Sequence, residues 1–98
     1  MNQQTEILEL EVTQEDLDGA IERIDYGGRP SECCVISTAA QRQLENPAIT
    51  SAFGRVFLND GSDGVYEEQD ELRSYMVAFD AGMYEQLAPR KFVLVRTQ

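Results

Sequence analysis

Histidine is missing altogether, and that one absence removes more chemistry than any other feature of these 98 residues. Without an imidazole, Ser-His-Asp and Cys-His catalysis have no general base. Cysteine is scarce: Cys33 and Cys34 are the only two, and they are adjacent. Neighbouring cysteines rarely bridge without backbone strain, so no disulfide framework is expected. A zinc site built on the pair would need carboxylates or a second chain. Long apolar runs are lacking too, none approaching the roughly 18 residues of a membrane span. Met1 to Glu6 has neither the basic nor the apolar region of a signal peptide. The expectation is a cytoplasmic protein with no membrane partner and no cofactor.

Positive charge is short as well. Eight bases face eighteen acids, for a net charge of −10. Residues 6 to 25 hold Glu6, Glu9, Glu11, Glu15, Asp16, Asp18, Glu22 and Asp25 against Arg23 alone, and the bases gather late, in Arg90, Lys91 and Arg96. Such a surface repels nucleic-acid phosphates and attracts a basic protein surface, including one that itself normally holds nucleic acid. The plainer reading is that the acids keep a small domain soluble.

What is present reads as one α+β domain over residues 1–98, of a length that supports one hydrophobic core. Ile7 to Val12 alternates apolar and acidic residues, the pattern of a half-buried strand. Thr13 stands as an N-cap with Asp16 three residues on, an approximate capping box. Leu17, Ala20, Ile21 and Ile24 then form the single apolar stripe of a helix, weakened at Gly19 and ending at Tyr26-Gly27-Gly28. A second helix opens at Pro30-Ser31, with Ser31 as N-cap. Cys33, Ile36, Ala40 and Leu44 make its inner face, Gln41, Arg42 and Glu45 its solvated one, and Asn46-Pro47 closes it. Ala48 to Ala52 carries no clear pattern.

Phe53 to Leu58 and Val65 to Glu68 flank the turn-forming run Asn59 to Gly64, a hairpin. A third helix over 70–81 places Leu72, Tyr75, Met76 and Phe79 on one stripe and ends at Gly82. Lys91 to Arg96 is dense in β-formers and reads as an interior strand buried on both faces. The predicted order is β-α-α-β-β-α-β, a sheet of about four strands with helices packed on it and the last strand central.

Candidate sites are few. Gly27, Gly28, Arg29 and Ser31 precede a helix, where unpaired N–H groups and the positive dipole end suit an anionic metabolite or nucleotide. The spaced glycines and lysine of a phosphate loop are absent, and an ordinary turn between helices explains the same residues. A thiol in the first helical turn near Arg29 has a lowered pKa, against which stands the tendency of unpaired cysteine to be buried. Asn59 to Asp70 touches the calcium-loop template, but Gly61 occupies a ligand position and a strand precedes it, so no metal is expected. The carboxylates Glu67, Glu68, Asp70 and Glu71 lack the apolar surroundings that tune an acid for catalysis. A partner-binding surface of Glu9, Glu11, Asp18, Glu22, Glu67 and Glu71 fits the charge segregation.

Five short pieces, in order along the chain, are Val12-Thr13-Gln14, Leu17-Asp18, Cys34-Val35-Ile36-Ser37, Phe79-Asp80-Ala81-Gly82, and Pro89 with Phe92 and Leu94. In these the chain resembles a family of small bacteriophage and bacterial proteins of uncharacterised function. It departs from that pattern where Val35 replaces a proline, Ser37 an alanine and Arg90 a phenylalanine. The resemblance implies a phage-type origin and an α+β fold, and brings no catalytic residue. The expected role is a non-enzymatic accessory protein that binds a basic host protein. A small-ligand binder at Gly27 to Ser31 and a structural or self-associating protein are the alternatives.

Overall fold

The alternation at the N-terminus becomes a strand in the computed structural model, which describes residues 6–28, 34–61 and 64–97. Strand β1, Ile7–Val12, buries Leu8, Leu10 and Val12 and exposes Ile7, Glu9 and Glu11. Thr13 caps α1, Gln14–Asp25, with both halves of the capping box formed. The Thr13 hydroxyl accepts from the Asp16 N–H at 3.2 Å, and the Asp16 carboxylate accepts from the Thr13 N–H at 2.9 Å. Val12 and Leu17, at the positions of a hydrophobic staple, are both buried.

Helix α2 spans Val35–Gln43 with Cys34 as its N-cap. It therefore starts later than the Pro30-Ser31 opening that the sequence suggests; Arg29, Ser31 and Cys33 lie outside the described residues. Its inner face is Val35, Ile36, Ser37, Ala39 and Ala40. Leu44 does not join that face. It is the C-cap, one residue past the last turn, and is partly exposed. The helix closes with Glu45 at φ 52°, and the Asn46 N–H reaches back to the Gln41 carbonyl at 3.1 Å. That is a Schellman ending with glutamate where glycine is usual.

The unpatterned stretch before Phe53 contains a strand. Thr50–Ala52 is β2, joined to β3, Arg55–Phe57, by the two-residue turn Phe53-Gly54. Both turn residues have positive φ, 50° and 78°, as a type I′ hairpin requires. A side chain at Gly54 would meet the Glu68 carbonyl at 2.6 Å, so this position demands glycine twice over. Phe53 belongs to the turn and not to a strand. Strand β4, Val65–Glu67, pairs antiparallel with β3, and α3, Glu71–Asp80, follows it. A short 3₁₀ turn at Tyr84–Gln86 leads to β5, Arg90–Arg96.

The sheet thus has five antiparallel strands in the order β1-β5-β4-β3-β2, where about four were expected. Along the chain the order is β-α-α-β-β-β-α-β. Helices α1, α2 and α3 each contribute buried residues to one core with Leu8, Leu10, Val12, Val56, Phe92 and Leu94 from the strands. Leu72, Tyr75, Met76 and Phe79 of α3 are buried together, as their spacing predicts. Tyr75 donates its hydroxyl to the Ala88 carbonyl and meets the Phe92 ring edge-on at 5.1 Å. Burial pushes that phenol up to about 12.

Strand β5 is interior, between β1 and β4, but it is not buried on both faces. Phe92 and Leu94 face the core, while Val93 and Val95 stand 54% and 41% exposed. The helices cover one face of the sheet, and the other is open.

Candidate interaction surface

The open face is built from alternate residues of each strand. Ile7, Glu9 and Glu11 come from β1, Lys91, Val93 and Val95 from β5, Glu67 from β4 and Arg55 from β3. Ile7 is the most exposed of its apolar residues, at 59%. Ion pairs flank the apolar row: Arg55 with Glu67 at 3.0 Å, and Lys91 with Glu11 at 3.7 Å. The Arg55 hydrogen bond, helped by Gln69, holds the Glu67 carboxyl below its ordinary value. At the strand ends Arg96 pairs with Glu6 at 2.8 Å, and its hydrogen bond lowers that carboxyl in the same way.

Two of the late bases therefore neutralise early acids between β5 and β1, and the third is tied to α3. Arg90 pairs with Glu71, Lys91 with Glu11 and Arg96 with Glu6. Among the described residues five bases are engaged in ion pairs: Arg42, Arg55, Arg90, Lys91 and Arg96. Glu9, Asp18 and Glu22 are left without a cation among the described residues.

The six acids expected to share one surface do not all come together. Glu9, Glu11 and Glu67 lie on the open face of the sheet. Asp18 and Glu22 are on the solvent side of α1, across the core from that face. Glu71 begins α3 and is tied to Arg90. The acids thus divide between the two layers, and on the sheet Glu11 and Glu67 are paired with Lys91 and Arg55. Gly27 and Gly28 end α1, where they border an open hollow with Gly19, Glu22, Arg23 and the exposed Tyr26. The described part of α2 begins at Val35, which is fully buried, and Arg29 and Ser31 of the expected anion site lie outside the described residues.

Arg42, which looked solvated, the capping residue Asp16, and Gln43, for which the sequence suggested no role, organise the edge of the sheet. Arg42 chelates the buried Asp16, with Nε and Nη2 both 2.9 Å from its carboxylate oxygens, and Nη2 also donates to the Glu11 carbonyl at 2.8 Å. Burial alone would raise the Asp16 carboxyl. The hydrogen bonds from Arg42 and Thr13 outweigh it and hold the group below its ordinary value. Gln43 reaches the same strand: its Nε2 donates to the Glu9 carbonyl at 2.6 Å and its Oε1 accepts from the Glu11 N–H at 2.9 Å. Nothing in the sequence distinguishes Gln43 from any other polar residue at a helix end.

The cysteine reading resolves toward packing. Cys34 is buried, with its Sγ 2.9 Å from Ser51 Oγ and 3.5 Å from Ser37 Oγ, and the two hydroxyls are 2.6 Å apart. The cluster joins the start of α2 to β2 and contains no base. Comparison with protein-family models, with curated proteins and with solved structures finds no match for the chain in any of the three.

Proposed function

We propose that this protein is a phage-type accessory protein that acts by binding, presenting an acidic surface to a basic host protein in the host cytoplasm. The observation that carries the reading is the uneven pairing of charge. Five bases are tied into ion pairs that hold strands and helices together, while Glu9, Asp18 and Glu22 are exposed and form no ion pair among the described residues. Uncompensated surface acids steer association with a positive partner and lose their effect in salt. Support for binding over catalysis comes from the absence of histidine and from the burial of Cys34, Ser37 and Ser51, which bond to one another. The phage-type assignment is carried by the residue pattern of the sequence. Among the described residues no helix is long and apolar enough to cross a membrane.

The test is capture from host lysate, followed by affinity measurement on the captured protein as salt rises. The reading predicts a fall of about tenfold or more between low and high salt. Salt-insensitive binding contradicts it. A second reading, a small ligand held beside Gly27 and Gly28, is favoured by the hollow that Tyr26 and Gly19 border. A nucleotide that raises the melting temperature would support that reading in place of the first.

A further inference from the structure

The two outer strands of a sheet offer backbone hydrogen-bonding groups to solvent, and β1 is one of them. Arg96 donates its N–H to the Glu6 carbonyl at 2.9 Å. Given the register Ile7 to Val95 and Leu8 to Leu94, this directs the bonds of Leu8, Leu10 and Val12 toward β5. The N–H and C=O groups of Ile7, Glu9 and Glu11 consequently point away from the sheet.

Half of those groups are occupied, and in an informative way. Gln43 donates to the Glu9 carbonyl and accepts from the Glu11 N–H. One residue of a parallel neighbouring strand makes those same two bonds, to the carbonyl of residue i−1 and the N–H of residue i+1. The side-chain amide therefore stands in for a missing strand. Arg42 holds the Glu11 carbonyl. The Ile7 N–H and C=O and the Glu9 N–H have no partner among the described residues. The strand has six residues, with no proline within it, and Ile7 beside the edge is largely exposed. Edges resist pairing by being short, bulged, charged or covered; β1 is neither short nor bulged, and its cover is two side chains, Gln43 and Arg42, beside the charged Glu9 and Glu11.

From this we infer that the β1 edge is the docking surface, and that its occupant is an extended segment of a basic partner, added as a sixth strand beside Ile7–Glu11 with cations against Glu9 and Glu11. The inference rests on the basic-partner reading and deepens it. Backbone pairing supplies affinity, while the side chains next to Glu9 and Glu11 supply selection. Glu9 forms no ion pair; of the two cations in the hollow that it shares with Glu11, Arg42 is committed to Asp16, and the 3.7 Å contact of Lys91 with Glu11 is loose enough to be shared. The Gln43 amide is displaced by the incoming strand or marks where it stops.

The probe is a synthetic hexapeptide alternating lysine with valine, compared with the same peptide N-methylated at alternate backbone nitrogens and with its glutamate counterpart. Strand addition predicts that the lysine peptide binds, that methylation weakens it about tenfold or more, and that the glutamate peptide fails to bind. The E9Q/E11Q double variant should weaken lysine-peptide binding several-fold, and Gln43→Ala should bind it at least as tightly as the parent chain. Equal, salt-sensitive binding of the methylated and unmethylated lysine peptides overturns strand addition while leaving the basic-partner reading intact. No binding to either the parent or the Gln43→Ala protein also overturns it. Dimerisation of Gln43→Ala in sedimentation would overturn the assigned occupant in favour of a second copy of the chain.

Discussion

The two edges of the sheet are closed by opposite means. At one edge β2 is three residues long, its central Ser51 is buried, and its hairpin is pinned through Gly54 against Glu68 and Met76. Asn59 and Gln41 reach in from loop and helix to bond Ala48, Thr50 and Ile49. At the other edge β1 is twice as long, and only side chains, Gln43 and Arg42, stand where a strand would be. A short edge consumed by the core leaves no backbone to offer, whereas a long edge covered by replaceable side chains does. The contrast is why the proposed docking falls at β1, with β2 given over to architecture.

Breaking the architectural edge should have the largest effect. Gly54→Ala forces a Cβ to within 2.6 Å of the Glu68 carbonyl at a φ of 78°. A loss of about 3 kcal/mol in denaturant unfolding is expected, from left-handed strain plus the clash. Asp16→Asn comes next, because it weakens the capping box and the Arg42 chelate together. About 2 kcal/mol should be lost at neutral pH. The sign of its pH dependence follows from the lowered carboxyl. That stabilisation is fully present above the unfolded value of 3.8 and disappears as pH falls through the still lower folded value. Thermal melts of parent and variant should therefore converge in strong acid and diverge above about pH 5.

Smaller effects sharpen the comparison. Ser51→Ala strips a hydroxyl that contacts both Cys34 and Ser37, and about 1 to 2 kcal/mol should go with it. Gln43→Ala at the recognition edge should cost about 1 kcal/mol or less, since water can replace its two exposed bonds. Its signature is local: the Glu11 amide should exchange faster while the amides of β2 are unaffected. A Gln43→Ala loss as large as that of Gly54→Ala would erase the distinction between the edges.

How much of this the sequence carries depends on how local each cause is. Thr13 with Asp16, the stripe Leu72, Tyr75, Met76 and Phe79, and the alternation of β1 are decided within a few residues, and each predicts its element. Strand β2 is a different case. Thr50-Ser51-Ala52 has little β-character, and its turn carries Phe53 where asparagine or glycine would announce a hairpin. The strand is made by its neighbours. Val93 and Val95 mislead for a related reason. An apolar run implies cover on both faces, but all three helices fall on one side of the sheet. The pairs Glu6 with Arg96 and Asp16 with Arg42 join residues 90 and 26 apart, beyond any local pattern. The six acids of the expected partner surface were legible as acids. Their division between two layers is a property of the fold.

The outward amides of β1 carry the proposed docking, and amide hydrogen exchange reads them one at a time. With the alternating lysine–valine peptide bound, the Ile7 and Glu9 amides should slow at least tenfold while exposed amides of the α1 C-terminus keep their rates. Slowing around Asp18 and Glu22 with Ile7 and Glu9 unchanged would place recognition on the helical layer and contradict it.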